Sequence, residues 1–344
     1  MSATPLYIRS AAQISLQNPL CDDWLVSPRV VDGAYARAVD PNFRDHLPAS
    51  SLRRMGLVLK RAVTVASRVL ADAGVERPDA IVVGTGLGCV ESTEKFLDAL
   101  CRTGETLLGP THFMQSTHNT IASAIAIHTA CHGYNITFSH RSVSFDLALH
   151  DAALWLQSEP ATHAFVGAFD EVTSTYHVLL RRMGFVGNEG QVACGEAAAG
   201  FLLSKDKAGA VCRLLGQTVC RATTPEAAAA CLSDFLSAHR LAAADIDLVV
   251  SGVNGHIPHD AAYHHLCLSA CPEVPVLAYK PLFGECYSAS ALGFYVACRL
   301  LQQDVVPPHL FASAVPSSPL RPTHILYLNH SQNSDYAFAL LQRL

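Results

Sequence analysis

The apolar residues of the chain follow two alternating patterns, short β-branched runs and longer stretches with helical spacing. A strand is predicted over residues 135–139, and the helical spacing that follows it falls on Phe145, Leu149, Ala152 and Trp155. Short apolar strands that alternate with long helical patterns are typical of α/β folds. The hydrophobic pattern therefore predicts an α/β protein.

Two segments of the chain repeat the same pattern. Residues 66–88 (ASRVLADAGVERPDAIVVGTGLG) and 232–255 (LSDFLSAHRLAAADIDLVVSGVNG) each contain a helical stretch, a polar turn, an aspartate and a β-branched run that ends in glycine. Setting Asp79 against Asp247 aligns the two β-branched runs. Such self-similarity indicates a duplicated unit.

A second pair of similar segments is separated by a similar number of residues. The Thr-His pair in residues 161–174 opens a strand-like run, and so does the pair in residues 322–334. Together the two pairs of similar segments predict two halves of related topology, at residues 1–205 and 206–344.

One charged pair lies in an otherwise apolar stretch, YKPLFGECYSASALGF, at residues 279–294. Lys280 and Glu285 are the only acidic or basic residues within 274–298. Because an unpaired buried charge costs several kcal/mol, they are expected to pair with each other or to belong to a site. A carboxylate beside Cys286 disfavours its thiolate, so that cysteine is expected to pack rather than react.

Composition excludes several classes of protein. Half of the 344 residues are hydrophobic, 15% are charged and the net charge is −5; this predicts a large folded core and argues against nucleic acid as a partner. No window reaches the roughly 18 apolar residues of a membrane span. The charge-free residues 106–140 are rich in polar side chains and are expected to form buried interior or a subunit interface.

The twelve cysteines are irregularly spaced, and the opening MSATPLYIRS lacks the apolar core of a signal peptide. Reduced thiols in a cytoplasmic protein are therefore expected.

Three motifs invite a chemical interpretation. GTGLGC at 84–89 lacks the third glycine of a dinucleotide loop, so a tight turn is favoured over cofactor binding. The histidines and cysteines of 254–271 match no common zinc spacing, and no metal is expected. Ser142 and Ser144 lie at a strand-to-helix junction, where a nucleophile or a helix cap fits and capping is favoured.

These segments together resemble the thiolase-fold β-ketoacyl-acyl-carrier-protein synthases. The resemblance runs along most of the chain and rests on HFMQSTHNTIASAIAIHTACHGYNITFS, FVGAFDEVTS, CGEAAAGFLLS and YKPLFGECYSASALG. It implies a thiolase-like, duplicated αβαβα layered fold, usually assembled as a dimer. No cofactor is implied.

The chain departs from this family at the residues that do the chemistry. Ser142 stands where the family has its acyl-accepting cysteine, and Asn254 and Glu285 stand at its two histidines, while Lys280 is retained. The family's C-terminal glycine-rich turn is replaced by LNHSQNS. A serine without a base is a poor nucleophile, and loss of one oxyanion donor typically costs about a hundred- to a thousand-fold in rate. No condensing activity is expected, and Lys280 is expected to pair with Glu285.

A family member without its nucleophile resembles the chain length factors, inactive homologues that pair with an active β-ketoacyl-ACP synthase and shape the acyl tunnel. The resemblance implies a role in type II polyketide or fatty-acid-like biosynthesis, such as that of aryl polyenes. Acyl carrier protein is a further candidate partner, and the basic cluster considered for it, which a solvated helix face explains equally well, is Arg53, Arg54, Lys60 and Arg61.

The resemblance also implies where the acyl tunnel and the dimer interface lie. The candidates are Phe113, Met114, His118, Ile121 and Ile125, with His118, Ile121 and Ile125 expected on one helical face. Plain core packing is the alternative. Under the tunnel hypothesis, Ile121→Trp is expected to shorten the partner's product.

Two other functions stay open at this stage. One is an acyl-thioester hydrolase or acyltransferase that uses Ser142, with His140 or His256 as the base. The other is a zinc-bearing or purely structural homodimer.

Overall fold

A computed structural model describes residues 4–30, 33–104, 108–187, 190–311 and 315–344. Within these residues ten strands form one hydrogen-bonded sheet. The strands are β1 (Leu6–Ile14), β2 (Ala80–Gly84), β3 (Tyr134–Phe138), β4 (His163–Asp170), β5 (Ala197–Ser204), β6 (Cys212–Arg221), β7 (Leu248–Ser251), β8 (Val276–Ala278), β9 (His324–Ser331) and β10 (Asp335–Gln342).

Helices connect the strands. In the described part of the chain they are α1 (Ala49–Leu52), α2 (Leu57–Ala73), α3 (Val90–Thr103), α4 (Pro110–Gln115), α5 (Thr120–Thr129), α6 (Ser144–Ser158), α7 (Ser174–Arg182), α8 (Pro225–Ala238), α9 (Ile257–Ala270), α10 (Lys280–Phe283) and α11 (Ala289–Leu300). Short 3₁₀ turns lie at Asp23–Leu25, Phe43–Asp45, Arg141–Val143, Ala243–Asp245 and Pro308–Leu310.

The sheet contains the same topology twice. Its strand order is β3-β2-β4-β5-β1-β6-β10-β9-β7-β8. We call β1–β5 the N-half and β6–β10 the C-half. In the N-half, β2 is parallel to β3 and β4, and β5 is antiparallel to β1 and β4. In the C-half, β7 is parallel to β8 and β9, and β10 is antiparallel to β6 and β9. The two halves meet where β1 pairs antiparallel with β6.

The aligned aspartates make the same contacts in both halves. The Asp79 carboxylate accepts the backbone N–H groups of Thr162 and His163, each at 2.9 Å. Asp247 accepts those of Thr323 and His324 at 2.7 and 2.9 Å. In each half, an aspartate just before one strand (β2 or β7) is thus hydrogen-bonded to the Thr-His pair at the start of a neighbouring strand (β4 or β9).

Helices and sheet alternate in five layers, because each helix buries an apolar face. Helices α2 and α5 cover the outer face of the N-half, and α8 and α9 cover that of the C-half. Between them, α6 and α11 contact strands of both halves, and α11 is buried over nearly its whole length. The predicted α/β class and the layered thiolase-like αβαβα arrangement are confirmed.

The two halves share a hydrophobic core. One cluster of buried side chains extends from Leu6 on β1 through Phe145 and Phe294 on the central helices to Leu341 on β10. The boundary predicted at residue 205 falls between β5 and β6, yet packing is continuous across it.

All twelve cysteines are free thiols, as the irregular spacing predicted. Among the described residues no helix is both long enough and apolar enough to cross a membrane.

Candidate functional site

Three of the predicted site residues meet at one edge of the C-half sheet. Asn254 follows β7, while Lys280 and Glu285 follow β8. Because β7 and β8 are parallel, their carboxyl ends lie side by side, which brings the three side chains together. Ser142, in the 3₁₀ turn before α6, lines the same cleft as Lys280 and Glu285.

Lys280 and Glu285 form the predicted buried ion pair. Lys280 Nζ lies 2.8 Å from Glu285 Oε2, with side chains only 6% and 4% exposed. The side-chain amide of Asn254 donates a hydrogen bond to the same carboxylate oxygen. Glu285 Oε1 is buried and has no hydrogen-bond partner among the described residues. The donors of Lys280 and Asn254 are therefore both directed at a carboxylate within the protein.

Burial and the ion pair together shift the pKa of Lys280 and of the neighbouring His330. Burial by itself lowers the pKa of Lys280, but the Glu285 carboxylate outweighs this effect, and the net pKa is raised. Burial and the charge of Lys280 lower the pKa of His330 to about 3. His330 is therefore a neutral imidazole at neutral pH.

Ser142 lacks the environment of an activated nucleophile. Its carbonyl accepts a 2.7 Å hydrogen bond from the Asn329 side chain, and no described imidazole is hydrogen-bonded to its hydroxyl. Both ring nitrogens of His330 are engaged, one with the carbonyl of His259 at 3.0 Å and the other with the backbone N–H of Asn333 at 3.5 Å. The nearest buried histidine is thus not arranged to deprotonate Ser142.

The predicted helix capping by Ser142 or Ser144 is wrong. Helix α6 begins without a side-chain cap at Val143. The Ser144 hydroxyl instead accepts from the backbone N–H of His140 at 2.8 Å and donates to the carbonyl of Arg141 at 2.7 Å. Ser144 stabilises the turn before the helix, because the 3₁₀ segment places its hydroxyl over that turn.

A buried polar network behind Ser142 was not foreseen from the sequence. The Asn329 amide donates to Asp146 at 2.8 Å, and its carbonyl oxygen accepts from the hydroxyls of Tyr263 and Tyr279 at 3.4 Å. Burial raises the pKa of Asp146 to about 7, although the bond from Asn329 opposes the shift. The polar residues of LNHSQNS, inside an apolar strand, were the signal that could have indicated this network.

Aromatic side chains and a polar bridge close the cleft over Ser142. The ring centroids of Phe185 and Tyr287 lie 4.8 Å apart with the planes tilted by 36°, and the Arg141 guanidinium donates to the Gln332 side chain. The cleft keeps a volume of only about 10 Å³, about the space that one water molecule requires. A Cβ at Gly86 would lie 2.3 Å from Cβ of Tyr287, so glycine is required for this closure.

The glycine turn at 84–89 binds a carboxylate of the protein itself. The backbone N–H groups of Gly86 and Leu87 and the hydroxyl of Thr85 all donate to Asp170. Donors that a dinucleotide phosphate would need are already engaged, which agrees with the predicted structural turn. Cys286, close by, is buried, and burial together with Asp170 and Glu285 raises its pKa, as expected of a packing residue.

The candidate bases His140 and His256 contact other side chains, and neither lines the cleft with Ser142. The ring of His140 faces Asp335 at 3.5 Å, and the ring of His256 lies 4.2 Å from that of His259. In the described chain no group of three or more His, Cys, Asp or Glu side chains is arranged to hold a metal ion. His259, one of the histidines considered as metal ligands, lines the cleft with Ser142 and was not predicted as a base.

The predicted tunnel residues divide into an exposed and a buried set. Phe113 and Met114 on α4 and His118 before α5 are exposed. Ile121 and Ile125 on α5 are fully buried in the N-half core. The expectation that His118, Ile121 and Ile125 share one helical face was wrong, because α5 begins only at Thr120. Ile121 and Ile125 pack in the core that α2 also joins.

The charge-free stretch 106–140 is correspondingly mixed. Positions 106 and 107 lie outside the described residues, and much of 110–119 is exposed in the single chain rather than interior.

The basic cluster considered for acyl carrier protein is smaller than predicted, because Arg61 is buried and pairs with Asp40 at 2.6 Å and Glu196 at 3.2 Å. Arg53 and Arg54 remain exposed.

Comparison with known proteins identifies relatives of this arrangement. The model of the N-terminal domain of β-ketoacyl synthases matches residues 24–244, more than half of the chain. No curated protein matches the sequence.

Solved structures share the fold at low sequence identity. The ishigamide ketosynthase/chain length factor superposes with a TM-score of 0.87 at 14% identity, over 100% of both chains. A chain of the complex of ketosynthase ApeO with its chain length factor ApeC, from Xenorhabdus doucetiae, gives 0.82 at 13% identity over 99% of this chain and 98% of that one. A β-ketoacyl synthase from Burkholderia phymatum STM815 gives 0.78 at 16% identity, over 99% and 100%.

Proposed function

Because the chain belongs to the β-ketoacyl synthase family, we propose that it is a non-catalytic subunit of the chain-length-factor kind. In this role it pairs with an active β-ketoacyl-ACP synthase and shapes the tunnel that holds the growing acyl chain. The pathway is of the type II polyketide or fatty-acid-like kind, such as aryl polyene synthesis.

The observation that carries the proposal is the carboxylate of Glu285. A condensing enzyme needs donors directed at the oxygen that becomes negative during malonyl decarboxylation. Here Asn254 and Lys280 direct their donors at Glu285. An incoming carboxylate or enolate would meet the charge of Glu285, to which both residues already direct a donor.

The closed cleft supports the same conclusion on steric grounds. A volume of about 10 Å³ beside Ser142 cannot accept an acyl thioester. Opening it requires separation of the Phe185–Tyr287 ring contact and of the Arg141–Gln332 hydrogen bond. Substrate access and chemistry are thus both blocked at the position of the family's nucleophile.

A surface for the partner is available on the N-half. Strand β3 lies at the end of the sheet and pairs only with β2 among the described strands, so its outer edge can bind another strand. Exposed apolar side chains lie on the neighbouring helices α3, α4 and α5, and we call the following four the N-half patch: Leu97, Phe113, Met114 and Ile127. Of these helices, α5 contacts β3, while α3 and α4 contact each other. Exposed apolar residues near an open edge are typical of an interaction surface.

The structural neighbours agree with a paired subunit. They include a ketosynthase/chain length factor, a ketosynthase in complex with its chain length factor, and an acyl carrier protein in complex with its ketosynthase. By analogy, the partner of this chain is an active ketosynthase, and acyl carrier protein is a further candidate. Phe113, Met114 and His118 remain proposed interface or tunnel residues.

A second candidate, an acyl hydrolase or acyltransferase acting through Ser142, has one observation in its favour. Ser142 and His259 line the same cleft. Burial and the neighbouring His256 and Lys280 lower the pKa of His259, so it is available as a neutral imidazole. This function requires an acyl-enzyme on Ser142.

The test is malonyl-thioester condensation on acyl carrier protein, run with this chain alone, with the co-encoded ketosynthase alone, and with both co-expressed. We expect product only from the co-expressed pair, together with co-purification of the two chains. Turnover by this chain alone would contradict the proposal.

A matched variant separates the two candidate functions. Ser142→Ala in the co-expressed pair is expected to leave the condensation rate unchanged. Mass spectrometry of the wild-type chain incubated with acyl thioester should show no adduct on Ser142. An adduct, together with lost turnover in Ser142→Ala, would favour the hydrolase or acyltransferase instead.

A further inference from the structure

A second cleft lies in the C-half, between helix α9 and strand β8 at the end of the sheet. Its volume is about 350 Å³. Its walls are mainly apolar and include Val253, Leu268, Val276 and Ala278. Clefts of this size with largely apolar walls and a few polar groups are typical of small-molecule sites.

One buried hydroxyl at this cleft lacks a partner. Ser251, the last residue of β7, lines the cleft and is fully buried. Its Oγ makes no hydrogen bond to any described residue. A buried hydroxyl without a partner is destabilising, so a ligand that offers a hydrogen-bonding atom there recovers the lost interaction.

The lining also determines the charge of the ligand. Among the described residues that line the cleft there is no Asp, Glu, Lys or Arg, and the only ionisable nitrogen base is the exposed His264. An ionised ligand would lose its hydration without gaining a counter-charge. A neutral ligand loses little, because its apolar part contacts Val253, Val276 and Ala278.

The cleft differs from the surfaces assigned above. It shares the wall formed by Tyr263 with the closed cleft at Ser142, but neither Lys280 nor Glu285 lines it. The Tyr263 hydroxyl is already engaged with Asn329 and with the backbone N–H of His330. Tyr263 therefore offers its ring, and Ser251 offers the open hydrogen-bonding group.

We propose that this cleft binds a neutral, largely apolar molecule that carries one hydroxyl or carbonyl group, with that group hydrogen-bonded to Ser251 Oγ. The proposal does not depend on the function proposed for the N-half patch or for the Ser142 cleft.

The test uses two neutral probes on the full chain. N-phenyl-1-naphthylamine, whose fluorescence rises in apolar sites, should bind the wild type, and 1-decanol should displace it. Val276→Trp fills the cleft and should abolish probe binding. Ile257→Ser is the matched control, because Ile257 is an 82% exposed residue of α9 outside the lining.

The hydroxyl is tested separately from the apolar walls. Ser251→Ala should weaken displacement by 1-decanol by about 3- to 10-fold, the usual value of one hydrogen bond, and should leave probe binding nearly unchanged. If Val276→Trp does not fold, Leu268→Trp at the 72% exposed rim provides the blocking variant. Absence of probe binding by the wild type, or equal binding by the folded tryptophan variant, would overturn the site. Unchanged displacement in Ser251→Ala would overturn the role of the hydroxyl.

Discussion

Lys280 and Glu285 are compatible with the core only as a pair. Each side chain is nearly fully buried, and the 2.8 Å contact between them compensates for lost hydration. Asn254 adds a hydrogen bond to the Glu285 carboxylate. Removal of one partner leaves a buried charge, whereas neutralisation of both leaves none.

We therefore expect Lys280→Met to lower the free energy of unfolding by about 3–5 kcal/mol. The double variant Lys280→Met/Glu285→Gln should recover most of the loss, because the glutamine side chain is neutral and can still accept from Asn254. Urea denaturation followed by far-UV circular dichroism measures both values.

The control is an exposed pair on α3. Lys95 lies 2.6 Å from Glu91 at the surface, and Lys95→Met should cost less than about 1 kcal/mol because water screens the charges. Equal losses for Lys280→Met and Lys95→Met would show that the buried pair contributes no more than a surface contact.

At this scale the sequence predicted the ion pair but not what surrounds it. The isolation of Lys280 and Glu285 in an apolar stretch indicated that each charge needs a partner. Because the two residues are close in the chain, each was an available partner for the other. Oε1 of Glu285 has no hydrogen-bond partner among the described residues. The hydrogen bonds from Asn329 to Asp146 and to Ser142 join residues up to 187 positions apart in the chain. Local spacing carries no information about such contacts.

Among the elements, α5 differs most between expectation and structure. The helix buries Ile121 and Ile125 against α2 and exposes Ile127. Ile121→Trp is consequently expected to overpack the core and destabilise the chain rather than to change product length directly. The exposed side of this segment, beside the β3 edge, is the part available to a partner.

The contribution of α5 to pairing is testable with one carboxylate. Ile127 is 83% exposed, so Ile127→Asp should leave the isolated chain folded. In a heterodimer interface the same carboxylate would be desolvated without a partner, which should abolish co-purification with the ketosynthase. Affinity purification of the co-expressed pair, with a thermal melt of the isolated variant, gives both results.

Ile257→Asp on α9 serves as the matched control for this experiment. Ile257 is 82% exposed but belongs to the C-half. It should leave co-purification intact. Retained pairing in Ile127→Asp, or loss of pairing in both variants, would argue against the N-half patch as the interface.

On the scale of the whole molecule, the repeated topology forms one packing unit. The N-half and C-half strands join in one sheet through β1 and β6. The central helices α6 and α11 contact strands of both halves. Neither half can bury its inner face without the other, so the chain is expected to unfold in a single transition.

The repeated aspartates provide a test of this cooperativity. Asp79→Ala and Asp247→Ala each remove a carboxylate that accepts two backbone N–H groups, and each should cost about 1–3 kcal/mol. Because the sites are far apart in the fold and share no partners, the losses should add in the double variant. Circular dichroism and tryptophan fluorescence should report the same midpoint in every case. Two separated transitions, each shifted by only one of the substitutions, would mean that the halves unfold independently.

The α/β class, the internal duplication, the free thiols and the need of Lys280 and Glu285 for partners could be predicted from the chain alone, because periodicity, composition and charge isolation are local properties. Three other features follow from tertiary contacts: Asn254 donates to Glu285, Phe185 and Tyr287 close the cleft over Ser142, and Ile121 faces the core while Ile127 faces solvent. These facts depend on which distant side chains the sheet brings into contact and on where each helix begins, and hydrophobic spacing alone specifies neither.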